Sequence, residues 1–148
     1  MDIRTRDFGT ITAEKNDIIY FTDSIYGFEE YKQYILLQDG PDGNIFYLQS
    51  IEDEHLAFIL IDPYTIVSDY EPNLTDEDLR ELKVNDEAEL KFLVIAIVRE
   101  SLKDSVVNLK SPISINPTLK IAKQVIVQNS EYPLRYPIFN NEGDEICL

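Results

Sequence analysis

The apolar residues of this chain recur in short runs that turn residues interrupt, a pattern typical of a β protein. The pattern predicts strands in the first half of the chain at Ile3–Phe8, Asp17–Phe21, Tyr34–Leu37, Ile45–Ser50 and Leu56–Ile61. The acidic residues 52–54 separate the last two runs, so these two form a predicted hairpin. Two Asp/Gly pairs around a proline predict a turn at 39–43. Pro63 ends the strand before it, because proline lacks the N–H that a ladder needs.

The strand pattern resumes after residue 90. Predicted strands cover Lys91–Val98, Pro112–Ile115 and Gln124–Val127, and we expect residues 120–122 to extend the sheet before the last of them. Apolar residues fill both alternating sets of positions in Leu56–Ile61 and in Phe92–Val98. We therefore expect these two strands to be buried on both faces.

One short helix is predicted between the two groups of strands. Thr75 has the hydroxyl of an N-cap, and Asp78 stands at the N3 position of a near capping box. Leu74 and Leu79 have the spacing of a hydrophobic staple, and the carboxylates of the first turn suit the helix dipole. The helix is expected to end near Leu82.

These elements predict a mainly β fold, a small antiparallel β-barrel-like single domain over residues 1–139 with one or two short helices. With 148 residues and 44% hydrophobic content, the chain is long enough to bury a core and too apolar for a disordered protein. Residues 140–148 combine charges with a glycine and two asparagines, counting Asn140, and we expect a flexible C-terminal tail.

The composition favours a cytoplasmic protein with no membrane partner. The longest apolar run, Phe92–Val98, is far shorter than the roughly 20 residues that span a bilayer. The first residues lack the apolar core of a signal peptide, and the lone Cys147 has no partner for an internal disulfide.

The negative charge is concentrated in the first two thirds of the chain. The net charge is −15 at pH 7. Residues 1–100 contain 23 Asp and Glu against 8 Lys and Arg, whereas residues 101–148 contain 5 of each. This distribution argues against direct nucleic-acid binding, because phosphate contacts need clustered Lys and Arg. The negative charge either serves solubility alone or forms an acidic face that meets a basic partner, and the sequence leaves both explanations open.

The residues that enzymes and metal sites require are scarce. His55, the only histidine, follows an acidic cluster and is expected to be an exposed turn residue. Cys147 lies in the predicted tail, where a nucleophile could not be oriented. There is no Gly-rich phosphate loop and no Cys/His metal pattern. Residues 52–54 could in principle bind a divalent cation, but adjacent carboxylates on a turn favour a solvated loop. We predict no enzyme activity, no cofactor and no metal.

Two loops combine aromatic or aliphatic residues with acidic ones. The first is Ile25–Glu29, in which Gly27 allows a tight turn; within it we expect Phe28 to belong to the core and Ile25 and Tyr26 to the surface. The second is the segment 63–72, which is either an edge strand capping the barrel or an interaction surface. The candidate partner-binding residues are Ile25, Tyr26, Phe28, Glu29, Tyr64, Asp69, Tyr70 and Glu71, together with Asp76 and Glu77 of the predicted helix.

Three separated blocks give the chain a family resemblance. Residues 108–116 read NLKSPISIN and precede QVIV at 124–127; residues 46–58 read FYLQSIEDEHLAF; residues 21–29 read FTDSIYGFE. In this order they resemble the blocks NL-x-API-x-IN…QVIL, PF-x-LQS-x-ED-x-x-LAF and F…GIPGFE of the FliW family of bacterial flagellar assembly factors. The resemblance extends over nearly the whole chain, and Tyr26 stands where the family usually carries proline.

The resemblance implies a function through protein binding. FliW-like proteins are small antiparallel β-barrel-like factors of the cytoplasm that bind CsrA, an RNA-binding repressor of flagellin translation, and thereby relieve repression. They also bind newly made flagellin, and the two partners compete. The other reading is a small β-barrel ligand-binding module or a carboxylate-based hydrolase. That reading requires polar groups inside the barrel.

Overall fold

The computed structural model describes residues 1–39 and 43–138. The predicted tail 140–148 and the centre of the predicted turn at 39–43 lie outside these residues. The strands are β1 Asp2–Arg4, β2 Thr10–Thr12, β3 Ile18–Asp23, β4 Gln33–Gln38, β5 Ile45–Ser50, β6 Ala57–Ile61, β7 Lys91–Ile97, β8 Val106–Val107, β9 Ile113–Asn116, β10 Ile121–Gln124 and β11 Tyr136–Pro137. The α-helix is α1 Asp76–Glu81, and short 3-10 helices cover Lys15–Asp17, Pro63–Thr65, Glu87–Glu89 and Leu102–Asp104.

Seven of the strands form a closed barrel, which confirms the predicted fold class. Within the described residues the ring runs β7-β6-β5-β4-β3-β10-β9 and closes through the pairing of β9 with β7. Every neighbouring pair is antiparallel except β10 with β3, which run parallel. Strands β8 and β11 extend the sheet from β7, and β1 with β2 forms a separate hairpin.

The barrel interior is apolar. All seven strands of the ring contribute side chains to one buried cluster, so this cluster fills the lumen. Its members are Ile19, Phe21, Ile25, Tyr34, Leu48, Leu60, Leu93, Ile113, Ile115 and Ala122. No Asp or Glu belongs to this cluster, and Asp78 on α1 is the buried carboxylate of the described residues. The hydrolase reading therefore lacks the interior carboxylate pair on which it depends.

Two further apolar clusters lie outside the barrel wall. One packs α1, the segments around it and residues 125–138 against the outer face of β6 and β7. The other lies under the β1–β2 hairpin, where Ile3 packs with Ile35 of β4. Strands β6 and β7 are thus covered on both faces: Leu60 and Leu93 point into the lumen, while Ile61 and Val94 point into the outer cluster. This confirms the expectation drawn from their apolar runs except at Ile97 and Val98, which are exposed.

The predicted elements hold with three differences. The strand predicted at Ile3–Phe8 is observed at Asp2–Arg4, so that prediction is wrong for residues 5–8. The strand predicted at Gln124–Val127 lies earlier, at Ile121–Gln124, so that prediction is wrong for residues 125–127. Val125 and Val127 still donate their N–H groups to the carbonyls of Pro112 and Lys110, at 3.1 Å and 2.9 Å, without completing a ladder. The short strands β2, β8 and β11 were not predicted, because two or three residues carry too little periodicity.

Only one of the two hydrogen bonds of the predicted capping box forms at the N-terminus of α1. The Thr75 hydroxyl accepts the N–H of Asp78 at 3.0 Å. The Asp78 carboxylate does not return to the cap. Instead it accepts a hydrogen bond from Lys123 Nζ at 2.7 Å, and Glu81 accepts a second one from the same ammonium, also at 2.7 Å. This ion pair joins α1 to β10. Burial by itself lowers the pKa of Lys123, but the hydrogen bonds and charges of the two carboxylates outweigh it and raise the pKa.

We predict that Lys123→Met lowers the free energy of unfolding by about 2–3 kcal/mol, because it leaves the Asp78 carboxylate buried without its cation. Urea unfolding at pH 7 measures the loss, and Lys103→Met, at an exposed lysine, is the control. Since the folded pKa of Lys123 lies above the ordinary 10.5, its contribution is fully present below pH 10.5 and is lost as the pH rises through the folded value. Equal losses in the two variants would contradict a structural role for the pair.

Candidate functional site

The first candidate loop closes one end of the barrel. Between β3 and β4 the chain makes a tight turn, in which Phe28 N–H donates to the Ile25 carbonyl at 2.8 Å and Gly27 has a positive φ of 89°. Ile25 points into the lumen and is 2% exposed, whereas Tyr26 is 88% exposed. Phe28 packs edge-to-face on Phe58, with ring centroids 4.9 Å apart, and retains 37% of its surface.

The expected surface position of Ile25 is therefore wrong. Its side chain plugs the apolar lumen because the turn directs alternate residues inward and outward. Phe28 lies between the two predicted environments, since one edge covers Phe58 and the rest faces solvent. Tyr26 lies fully at the surface, as expected.

The three carboxylates of the neighbouring acidic turn, residues 52–54, each contact a different part of the chain. Glu52 accepts the N–H groups of Lys32 and Gln33 at 2.7 Å and 2.8 Å. Asp53 accepts the Tyr31 hydroxyl at 3.3 Å, and its charge is the main cause of the raised pKa of Tyr31. Glu54 lies 3.8 Å from Arg4. The three carboxylates thus face different partners, and within residues 1–39 and 43–138 no group of three His, Cys, Asp or Glu is arranged to hold a metal. His55 is exposed, as expected.

The second candidate segment, 63–72, is not an edge strand. It begins with the 3-10 helix Pro63–Thr65, which the Asp62 carboxylate caps through the Tyr64 N–H at 3.0 Å. Tyr70 is 3% exposed and donates its hydroxyl to the Leu109 carbonyl at 2.6 Å, and burial raises its pKa. Its expected place on the surface is thus wrong. Its ring packs between those of Tyr64 and Tyr132, at centroid distances of 5.9 Å and 4.7 Å.

The other candidate residues of the second segment, and those of α1, are exposed. Tyr64 is 44% exposed. The exposed carboxylates are those of Asp69, Glu71, Asp76 and Glu77. The backbone beneath them is fixed, because Glu71 N–H donates to the Tyr132 hydroxyl at 2.8 Å and Asn73 N–H donates to Asn129 Oδ1 at 2.7 Å.

Consecutive residues of β10 hold the first candidate loop and helix α1. Gln124 Oε1 accepts the N–H of Tyr26 at 3.0 Å, and Lys123 holds the helix that carries Asp76 and Glu77. From Gln124 the chain runs to Gln128, whose N–H donates to the Asn73 carbonyl at 2.8 Å. At about 3.3 Å per residue, this link spans roughly 13 Å at most.

Sequence reasoning missed one exposed residue of this link. Ile126 lies midway between the two segments and is 66% exposed, while Val125 and Val127 are buried. The signal was present in the alternation of residues 124–127, which separates Gln124 and Ile126 from the buried Val125 and Val127. We define the acidic-aromatic surface as Tyr26, Phe28, Glu29, Glu71, Asp76, Glu77 and Ile126. It combines exposed apolar side chains with exposed carboxylates, as protein interfaces do.

A substitution series separates core from surface in the first loop. Ile25→Ala should lower the free energy of unfolding by about 2–4 kcal/mol, because it empties part of the lumen. Tyr26→Ala should change it by less than about 0.5 kcal/mol. The loss caused by Phe28→Ala should lie between these two values, because this variant loses one edge-to-face aromatic pair. Urea unfolding of the three variants tests this order, and a Tyr26→Ala loss as large as that of Ile25→Ala would contradict it.

The described residues contain no helix that is both long and apolar enough to cross a membrane.

The chain was compared with known proteins at the level of family, sequence and structure. The family model described as FliW protein matches residues 2–138. The chain is 39% identical over 144 residues to the flagellar assembly factor FliW of Clostridium tetani, covering 97% of this chain and 99% of the relative. It is 34% identical to the one from Clostridium botulinum, covering 97% and 100%. A crystal structure of the flagellar assembly factor FliW superimposes with a TM-score of 0.88 at 34% identity, covering 96% of this chain and 99% of the other. The chain belongs to the FliW family of flagellar assembly factors.

Proposed function

We propose that this protein acts in the cytoplasm by binding CsrA, which relieves the repression of flagellin mRNA, and by binding flagellin in competition with CsrA. The observation that carries the proposal is the acidic-aromatic surface, in which β10 holds an exposed aromatic loop and an acidic helix through two consecutive residues. We further propose that residues 1–139 form a single domain and that the protein acts by stoichiometric binding.

The charge of this surface suits a basic RNA-binding partner. The carboxylates of Glu29, Glu71, Asp76 and Glu77 on this surface are exposed. An acidic face accelerates encounter with a basic protein and, once docked beside an RNA-binding surface, repels phosphate. Tyr26 and Ile126 supply apolar area that a charge-only contact would lack. Tyr64 and Asp69 are exposed farther along the second segment, and their part in binding stays a prediction.

The same surface is suited to a competing partner. Hydrogen bonds to Gln124, Asn129 and Tyr132 hold its backbone in place. Because this surface is already ordered, binding an incoming segment costs less conformational entropy. A flagellin segment that covers Tyr26 and Ile126 would exclude CsrA from these two residues. This overlap is sufficient for the two partners to compete.

Reversing the charge of the acidic rim should slow association with CsrA. In a triple variant with Glu71→Lys, Asp76→Lys and Glu77→Lys we expect the on-rate to fall about tenfold at low salt, with less change in the off-rate. The difference from the parent should shrink as salt rises, because the screening length falls to about 8 Å at physiological ionic strength. Stopped-flow association measures both effects.

The matched control reverses three exposed carboxylates elsewhere: Asp2, Asp39 and Asp104. Both triple variants have the same net charge, so a local docking surface predicts slow association only for the first. Equal rates for the two variants would refute a local acidic surface.

CsrA should release this protein only partly when RNA is added. We expect binding beside the bases that CsrA reads rather than mimicry of RNA, because the acidic rim is spread over two segments and does not form a compact anionic ladder. A coupling of about 1.4 kcal/mol would lower the RNA affinity tenfold. Titration of the flagellin mRNA segment into the preformed complex measures the release. A plateau supports coupling, whereas complete displacement would show direct competition.

A further inference from the structure

A cavity lies at the end of the barrel opposite the Tyr26 loop. Its volume is about 510 Å³. It is lined where β3 begins, where β4 ends and where β9 turns into β10, so it lies at a barrel mouth, where β-barrels commonly bind ligands. Aliphatic side chains form most of the lining: Ile11, Ile19, Ile35, Leu36, Leu37 and Ile115.

Lysines border this aliphatic lining. Lys91 and Lys120 line the cavity together with a single carboxylate, that of Asp17. A second cavity of about 470 Å³ shares Lys120 and adds Lys15, with the exposed side chains of Tyr20 and Leu119. Three of the lysines of an otherwise strongly acidic chain therefore converge on one end of the barrel.

These lysines have no ion-pair partner within the described part of the chain. The neighbouring carboxylates bind backbone N–H groups instead. Asp17 accepts the Glu14 N–H at 2.9 Å, and Glu89 accepts those of Asn85 and Asp86 at 2.6 Å and 3.1 Å. The Lys91 ammonium lies 4.7 Å from the centre of the Phe46 ring, a contact that leaves its charge uncompensated.

Lys120 occupies a backbone conformation that a lysine does not favour. It ends the β9–β10 turn with a φ of 58°, and its N–H donates to the Asn116 carbonyl at 2.9 Å. Glycine or asparagine adopts this left-handed conformation at lower cost. The turn itself is fixed, because Asn116 Oδ1 accepts the N–H groups of Thr118 and Leu119. Lys120 thus has a fixed backbone from which its side chain borders both cavities.

We propose that the lysine-bordered cavity docks a segment of a protein partner in which carboxylates flank one or two aliphatic side chains. The aliphatic lining receives the apolar side chains, and the ammonium groups of Lys91 and Lys120 receive the carboxylates. The net charge of −15 repels an acidic segment overall, so these ammonium groups supply the local complementarity that such a segment needs. The site is independent of the acidic-aromatic surface, and its test does not involve CsrA.

The probe is a fluorescein-labelled peptide of sequence Gly-Ser-Glu-Ile-Leu-Glu-Ser-Gly, and fluorescence anisotropy measures its binding to the full chain. Lys120→Asn should weaken binding about threefold to fivefold, and the double variant Lys91→Gln/Lys120→Asn about tenfold. Peptides with Gln for Glu, or with Ser for Ile and Leu, should bind at least about fivefold more weakly than the probe.

The chain offers a matched control in Lys83, which follows α1. Its φ of 60° nearly equals that of Lys120, but it lines neither cavity. Lys83→Asn changes the net charge and the backbone preference in the same way, and it should leave peptide affinity within about twofold. Urea unfolding of each variant establishes that it is folded. Amide chemical shifts should move at Ile11, Ile115 and Lys120 when the peptide binds.

Four results would overturn the proposal. The first is equal weakening by Lys83→Asn and Lys120→Asn, and the second is shift changes confined to Tyr26 and α1. Octanoate binding as tightly as the peptide would assign the cavity to a small amphiphile. Concentration-dependent dimerisation that Lys120→Asn abolishes, in sedimentation velocity, would assign it to a second copy of the chain.

Discussion

The insertion of β10 between β3 and β9 is the constraint on which the rest of this structure depends. Strand β10 pairs parallel with β3 and antiparallel with β9, and β9 in turn pairs with β7. Without this insertion β3 and β9 would each present an unpaired edge, and the apolar lumen would be open to water along one side. Ala122, fully buried at the centre of β10, is small enough to let the opposing side chains meet inside the barrel.

The same strand places the candidate surface. Because successive side chains of a strand point to opposite faces, Lys123 and Gln124 reach different segments from one short stretch of backbone. One holds α1 and the other holds the loop of Tyr26. A bulge between Ala122 and Lys123 shifts the register with β3 at this point. Bulges are a common means of redirecting a side chain beside a functional site. Groups for binding are thus carried on loops that a rigid barrel positions.

The high negative charge is compatible with this compact fold because many carboxylates serve the backbone. Glu52 and Asp53 fix the loop before β4, and Asp86 and Glu89 cap the 3-10 helix before β7. The contacts of Glu52, Asp86 and Glu89 satisfy N–H groups that turns leave unpaired, whereas Asp53 accepts the Tyr31 hydroxyl. The carboxylates of the acidic rim are different, since they remain exposed to solvent. This division gives the chain one acidic end and, around Lys91 and Lys120, one end with uncompensated positive charge.

The sequence by itself determined the local elements and the family. Apolar alternation located β3 to β7 and β9 to within a few residues, Thr75 and Leu82 bounded the helix, and the blocks around Phe28, Gln49 and Ile113 carried the resemblance. These features depend on residues that are neighbours in the chain, and they can therefore be predicted from the sequence alone.

Tertiary structure alone decided which side chains reach the surface. Ile25 and Tyr70 look like surface anchors in sequence, yet one fills the lumen and the other is covered by Tyr64 and Tyr132. The parallel pairing of β10 with β3, across a hundred residues, and the meeting of Lys123 with Asp78 follow from the closure of the ring. Such contacts have no sequence signature, because the side chain that covers or pairs with a residue is set by the packing of distant segments and not by its neighbours in the chain.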